Sequence, residues 1–150
     1  MIVDRTALRD ILTALPFDPG RWVVAGSAPM LMAGLVDSIA DVDVVVDAVA
    51  WPQAQSMVDQ EPRGGLFGDH LVGFDVAGAQ VEVFDGWLGT DADTMVAEAV
   101  DVEGVPCSPL ERVLDSKRRL IRPKDRRHIA ILEAHLGEGS AAQAPMANRK

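Results

Sequence analysis

Leu8, Ile11, Leu12 and Leu15 follow the spacing i, i+3, i+4, i+7. That spacing puts all four on one side of a 3.6-residue helix, so an amphipathic helix is expected over about 4–15. Pro16 through Gly20 breaks the pattern. Trp22-Val23-Val24-Ala25 is a short apolar run closed by Gly26, the mark of a buried strand. Ser27-Ala28-Pro29 reads as a helix start, because a serine can cap and proline is tolerated in the first turn. That helix would carry Met30, Leu31 and Leu35, with Gly34 near its end. Asp41-Val42-Asp43-Val44-Val45-Val46-Asp47 begins in alternation and is dense in β-branched residues, which predicts a strand. A short helix opened by Pro52 is expected over 51–60. Residues 71–76 and 79–84 read as two strands joined at Ala77-Gly78, a hairpin. A further short strand is expected near 99–102.

Pro109 opens a helix to about Leu120, Pro123 interrupts it, and a second helix follows over 124–136. From Gly137 the Gly/Ser/Ala/Gln-rich chain has little to bury and reads as a disordered tail. The element order predicts an α/β (α+β) fold: a mixed sheet flanked by helices, over 1–107, with a short C-terminal helical cap over 108–136 and the tail over 137–150.

Composition narrows the function classes. Of 150 residues, 48% are apolar and 25% charged, as in folded domains, while aromatics make up only 5% and tyrosine is absent. Base-stacking platforms for single-stranded nucleic acid are therefore not expected, and Trp22, Trp51 and Trp87 read as packing residues. A single cysteine, Cys107, excludes an internal disulfide or a cysteine-rich zinc site, and reads as a packed side chain. His70, His128 and His135 lack the spacing of a zinc triad. No apolar run approaches the ~20 residues of a membrane span, and the first residues lack the basic-then-apolar order of a signal peptide. A cytoplasmic protein is the expectation.

Charge is unevenly placed. The formal net charge is −9, but residues 1–115 hold 20 acidic and 5 basic side chains. Between Lys117 and Arg127, seven basic residues face only Asp125. An acidic body with one basic patch can hold a cation and a phosphate-bearing ligand, although such a run also reads as a solvated helix face. Asp37 and Asp47 read as surface residues.

The chemistry concentrates at Gly26-Ser27 and, after a spacer of thirteen residues, Asp41-Val42-Asp43. Alternate residues of a strand share a face, so Asp41 and Asp43 would present both carboxylates to one spot. Two anions so placed repel unless a cation lies between them, and a hard divalent ion such as Mg²⁺ suits oxygen donors. The glycine turn and the serine ahead of a helix suit the terminal phosphates of a nucleotide, since Gly26 offers no side chain to obstruct them. A metal beside a phosphate cradle is the requirement of phosphoryl or nucleotidyl transfer. The dinucleotide fingerprint and the P-loop pattern are both missing from this stretch.

Val24-Ala25-Gly26-Ser27, the spacer, and Asp41-Val42-Asp43-Val44 together resemble the signature of the nucleotidyltransferase (DNA polymerase β-like) superfamily. That superfamily places a third carboxylate on a later strand between hydrophobic residues. Val81-Glu82-Val83 matches the place, with Asp85 as the competing candidate. Ser108-Pro109-Leu110-Glu111, Lys117 and Arg122-Pro123-Lys124-Asp125 are similar to the C-terminal pattern of abortive-infection/toxin-type and small antibiotic nucleotidyltransferases. The chain is shorter than most toxin-type members, and carries Glu82 where many relatives have aspartate.

The resemblance implies that Gly26 and Ser27 hold the terminal phosphates of an NTP. It implies that Asp41, Asp43 and Glu82 bind one or two Mg²⁺ ions, with Glu82 also accepting the proton of the attacking hydroxyl. Lys117, and with it Lys124, would neutralise phosphate charge, and Asp125 would orient one of these lysines. The implied reaction moves a nucleoside monophosphate to a hydroxyl of a small molecule, a protein or an RNA end and releases pyrophosphate. The alternative is a catalytically silent member that binds a nucleotide, or a partner protein as half of a toxin–antitoxin-like pair.

Overall fold

In the computed structural model, which describes residues 2–65 and 69–143, the first apolar stripe forms helix α1 (Arg5–Thr13) and buries Leu8, Ile11 and Leu12. Asp4 caps it, its carboxylate accepting the Ala7 N–H at 2.9 Å. Two compact units follow from the chain's contacts, Met1–Pro109 and Leu110–Lys150.

The first unit is built on strands β1 (Trp22–Ala25), β2 (Asp41–Val46), β3 (Arg63–Gly64), β4 (His70–Val76), β5 (Ala79–Phe84), β6 (Gly86–Trp87), β7 (Thr90–Asp91), β8 (Val100–Val102) and β9 (Val105–Cys107). Seven of them form one sheet in the order β3-β4-β5-β2-β1-β9-β8, and β6-β7 form a separate ribbon. The sheet is mixed: β1 runs antiparallel to β2, whereas β2–β5 and β1–β9 are parallel. Helices α2 (Ala28–Met32), α3 (Trp51–Gln55) and α4 (Ala92–Ala97) occupy the connections, α2 packing on β1 and β9, and α4 on β2 and β1.

Strands β1 and β2 are buried through both faces along most of their length, and β5 through one. Val23 and Val45 face one side, Val24, Val42, Val44, Val81 and Val83 the other, and all are 0% exposed. At roughly 1.5 kcal/mol or more per fully buried valine, this β-branched layer is a large share of the driving force for the fold. On β5 the face opposite Val81 and Val83 carries exposed Gln80 and half-buried Glu82, and the pattern changes likewise at the N-terminal end of β2. There Asp41 is exposed and Asp43 half-buried, so one face of the sheet is left to polar side chains.

Three two-residue hairpins share one device. Ala77-Gly78 joins β4 to β5, Leu88-Gly89 joins β6 to β7, and Glu103-Gly104 joins β8 to β9. Each pair has positive φ at both positions, the type I′ geometry that matches strand twist and wants glycine second. Arg5 and Arg9 of α1 hold Glu103 through its carboxylate at 2.8 and 3.0 Å.

The second unit is a helical pair, α5 (Leu110–Leu120) and α6 (Asp125–Gln143). Val113, Leu114 and Leu132 are its buried apolar side chains. Helix α6 continues to Gln143, past the end expected at Leu136, and the rest of the expected tail, 144–150, lies outside the described residues. Among the described residues, no helix is long and apolar enough to cross a membrane.

Other differences from expectation are local. Helix α1 stops at Thr13, α2 at Met32 and α3 at Gln55, each short of its expected end. Asp47 is no surface residue: it is 6% exposed, accepts the Ala50 N–H at 3.0 Å and pairs with Arg21 at 3.0 Å. It stops β2 by tying the chain to the next turn.

Candidate active site

Strand register puts the predicted acids together. Ala25 of β1 lies opposite Asp43, and on the other side of β2 the parallel pairing sets Asp41 beside Gln80 and Asp43 beside Glu82. Partners in register on adjacent strands present side chains to the same face at about 4.8 Å backbone spacing. Asp41, Asp43 and Glu82 therefore belong to one face of the β2–β5 pair, at the polar end of the sheet. Asp85 does not join them. It lies beyond the end of β5, three residues along, and its carboxylate accepts the His70 N–H at 2.7 Å and lies 3.1 Å from His70 Nδ1.

The carboxylates share a face but not a point. Gly26 has φ +63°, and a Cβ built there would collide with the Asp43 carboxylate. Asp43 thus leans over the glycine that follows β1. Glu82 engages the opposite flank, where Arg63 Nη2 of β3 donates to its Oε2 at 3.1 Å. The strand between, β4, carries Gly73 opposite Glu82, and a Cβ at Gly73 would sit 3.1 Å from Arg63 Nη2 and 3.0 Å from Gln80 Nε2. The missing side chain at Gly73 is what lets the arginine cross β4. With the acids drawn to opposite flanks, no group of three His, Cys, Asp or Glu among the described residues is arranged to hold a metal ion.

The donor set nevertheless suits a hard divalent cation. It is all carboxylate oxygen, and strand pairing sets Asp43 and Glu82 in register on adjacent strands. Arg63 and Gly73 were not visible as site residues in the sequence, since their approach to Glu82 depends on the β3–β4–β5 register.

Ser27 stands at the start of α2 as expected but does not cap it with its side chain. It precedes α2 in αR geometry, its carbonyl accepts from Met30 and Leu31, and its hydroxyl makes no capping hydrogen bond. Across β1, Ser108 follows Cys107, the partner of Val24, and donates its N–H to the Val24 carbonyl at 2.9 Å. Its buried Oγ lacks a hydrogen-bond partner, a cost usually met where a ligand or ordered water completes the site. Cys107 itself is buried, which together with the Asp101 charge pushes its thiol up to about 12 and makes it a poor nucleophile.

In the second unit Lys117 is no solvated lysine but 4% exposed, and its Nζ lies 3.3 Å from Oδ1 of Asp125, itself 1% exposed. Arg122 adds Nε–Oδ2 and Nη2–Oδ1 hydrogen bonds at 2.7 and 3.1 Å, and its N–H a third at 3.3 Å. Burial pushes the Asp125 carboxyl up, but the Arg122 hydrogen bond and the Lys117 charge outweigh it and hold it below the ordinary range. His128 nearby is pushed down by burial and by the charges of Lys117 and Arg127. Lys124 is exposed. Asp125 thus holds Lys117 in a buried ion pair.

No family model matches the sequence, and neither does any curated protein. Among solved structures, a Thermotoga maritima protein, described provisionally as a nucleotidyltransferase, superposes with a TM-score of 0.59. The match covers 89% of this chain and 92% of that one, at 22% sequence identity. A likeness at that identity speaks for the fold: a mixed sheet flanked by helices, with a C-terminal helical element, of the kind found in that nucleotidyltransferase-like neighbour.

Proposed function

We propose that this chain is a nucleotidyltransferase that uses Mg²⁺ to move a nucleoside monophosphate from an NTP to an acceptor hydroxyl. The observation that carries the reading is the pairing of Asp43 with Glu82 on adjacent parallel strands, with the Asp43 carboxylate set against the glycine turn that follows β1. The fold likeness supports the same class of reaction.

In this reading Gly26 and Ser27 take the terminal phosphates, because a backbone without a side chain admits them closely. Asp41 and Asp43 bind the divalent cation from one strand and Glu82 from the next. Bound Mg²⁺ would offset the negative charge that gathers on the phosphate oxygens in the transition state. Glu82 accepts the proton of the acceptor hydroxyl, whose oxygen bonds to the α-phosphorus as the bond to the bridging oxygen breaks and pyrophosphate departs.

A second reading, a fold relative that binds nucleotide without turnover, is favoured by one observation: the acids are drawn to opposite flanks. One assay separates the two. Purified protein is incubated with Mg²⁺, an extract of RNA, protein and metabolites, and NTP labelled at either the α- or the γ-phosphate. Transfer of the α label alone, reduced at least a hundredfold by Asp43→Asn, is the expected result. Transfer of the γ label, or α transfer indifferent to Asp43→Asn, contradicts the proposal.

A further inference from the structure

We propose that Arg63 is a built-in counter-ion for Glu82, holding the charge position that a divalent cation takes and yielding it when the cation binds. The inference rests on the reading of Asp41, Asp43 and Glu82 as a metal site. Three observations carry it. The guanidinium stands 3.1 Å from Glu82 Oε2, the acid that register places beside Asp43. It reaches that acid from β3, two strands away, over the one β4 residue opposite Glu82 that has no side chain. Any Cβ at Gly73 would press on both Arg63 Nη2 and Gln80 Nε2, at 3.1 and 3.0 Å.

The physical logic is competition between cations for one carboxylate. Two or three carboxylates on one sheet face repel each other, and a protein that must fold before it meets metal gains from a positive charge of its own there. The Arg63 side chain is 62% exposed, so the pair is a weak one, screened by water and easily parted. A buried, bidentate arginine would block the site, whereas an exposed, single-contact arginine delays the cation and stabilises the empty acid cluster. Displacement also frees a guanidinium at the rim, where phosphate oxygens are its natural partners.

The test is Mn²⁺ binding by electron paramagnetic resonance, with no nucleotide and no turnover. The proteins compared are wild type, Arg63→Ala, Arg63→Lys, Gly73→Ala and Asp43→Asn. Removal of the arginine is expected to tighten Mn²⁺ binding by up to about fivefold, the range for losing one exposed competing charge. Arg63→Lys, which keeps the charge, is expected near wild type. Gly73→Ala, which crowds the arginine without touching any acid, is expected to move in the same direction as Arg63→Ala. Binding that is unchanged or weakened in Arg63→Ala, while remaining dependent on Asp43, overturns the counter-ion role and leaves the metal site standing. If wild type and Arg63→Ala bind no Mn²⁺ that Asp43→Asn abolishes, the metal-site reading itself fails and this inference falls with it.

Discussion

Two separate demands meet at Gly26. The chain turns there with φ +63°, and the Asp43 carboxylate occupies the space a Cβ would fill. An L-residue in that conformation costs on the order of 1–2 kcal/mol, and the collision adds to it by pushing the carboxylate away. Gly26→Ala should therefore lose at least about 1 kcal/mol in a urea melt, and should weaken Mn²⁺ binding together with nucleotide affinity. A variant of full stability and full affinity would mean that the turn and the acid are independent. The residue scale also explains what the sequence could not reveal. Gly26, Asp41 and Asp43 lie close along the chain, so their association was legible in spacing. The approach of Arg63 to Glu82 across Gly73 needs three strands in register, and no local pattern encodes it.

Among elements, those with a long periodic pattern were legible and the short ones were not. The Leu8, Ile11 and Leu12 positions of α1, the valine run of β2 and the β4–β5 hairpin are each specified by their own residues. Strands β3, β6 and β7 have two residues each, too few for any period, and Pro106 disguises β9. Signals for two missed hairpins were present all the same, in Leu88-Gly89 and Glu103-Gly104, and Asp91 capping Thr94 at 2.8 Å marks the start of α4. The turn from α5 to α6 is held by the Lys117–Asp125–Arg122 cluster. Replacing Asp125 by Asn leaves Lys117 buried without its counter-charge, at a cost of about 3–5 kcal/mol near neutral pH. The carboxyl is held below its ordinary value of 3.8, so its stabilisation is complete above that value. It is lost as pH falls through the lower folded-state value. Denaturation midpoints followed from pH 6 to 2 should show the gap between wild type and Asp125→Asn closing only below about pH 4. A gap that stays constant to pH 2 would contradict the ion pair.

At the scale of the whole molecule, charge sets the terms on which a nucleotide can approach. Residues 1–109 carry eighteen acidic and four basic side chains, and residues 110–150 carry ten basic and five acidic ones. A polyphosphate meeting the acidic unit is repelled at distances up to the Debye length, roughly 8–10 Å at physiological salt. In the proposed function a cation accompanies it, on the face that carries Asp41, Asp43 and Glu82. The overall α/β architecture was legible because strands and helices alternate in the hydrophobic pattern. The partition of charge was legible too, but not the burial of Lys117, nor its pairing with Asp125 eight residues along the chain.

The most direct test is a crystal structure with Mn²⁺ and a non-hydrolysable NTP analogue, the ion located by its anomalous signal. The account predicts Mn²⁺ with oxygens of Asp43 and Glu82 at about 2.0–2.5 Å, the Glu82 side chain turned off Arg63, and the terminal phosphates against Gly26 and Ser27. An ion bound elsewhere, or a nucleotide seated with Glu82 still on Arg63 and no metal between the acids, would contradict it.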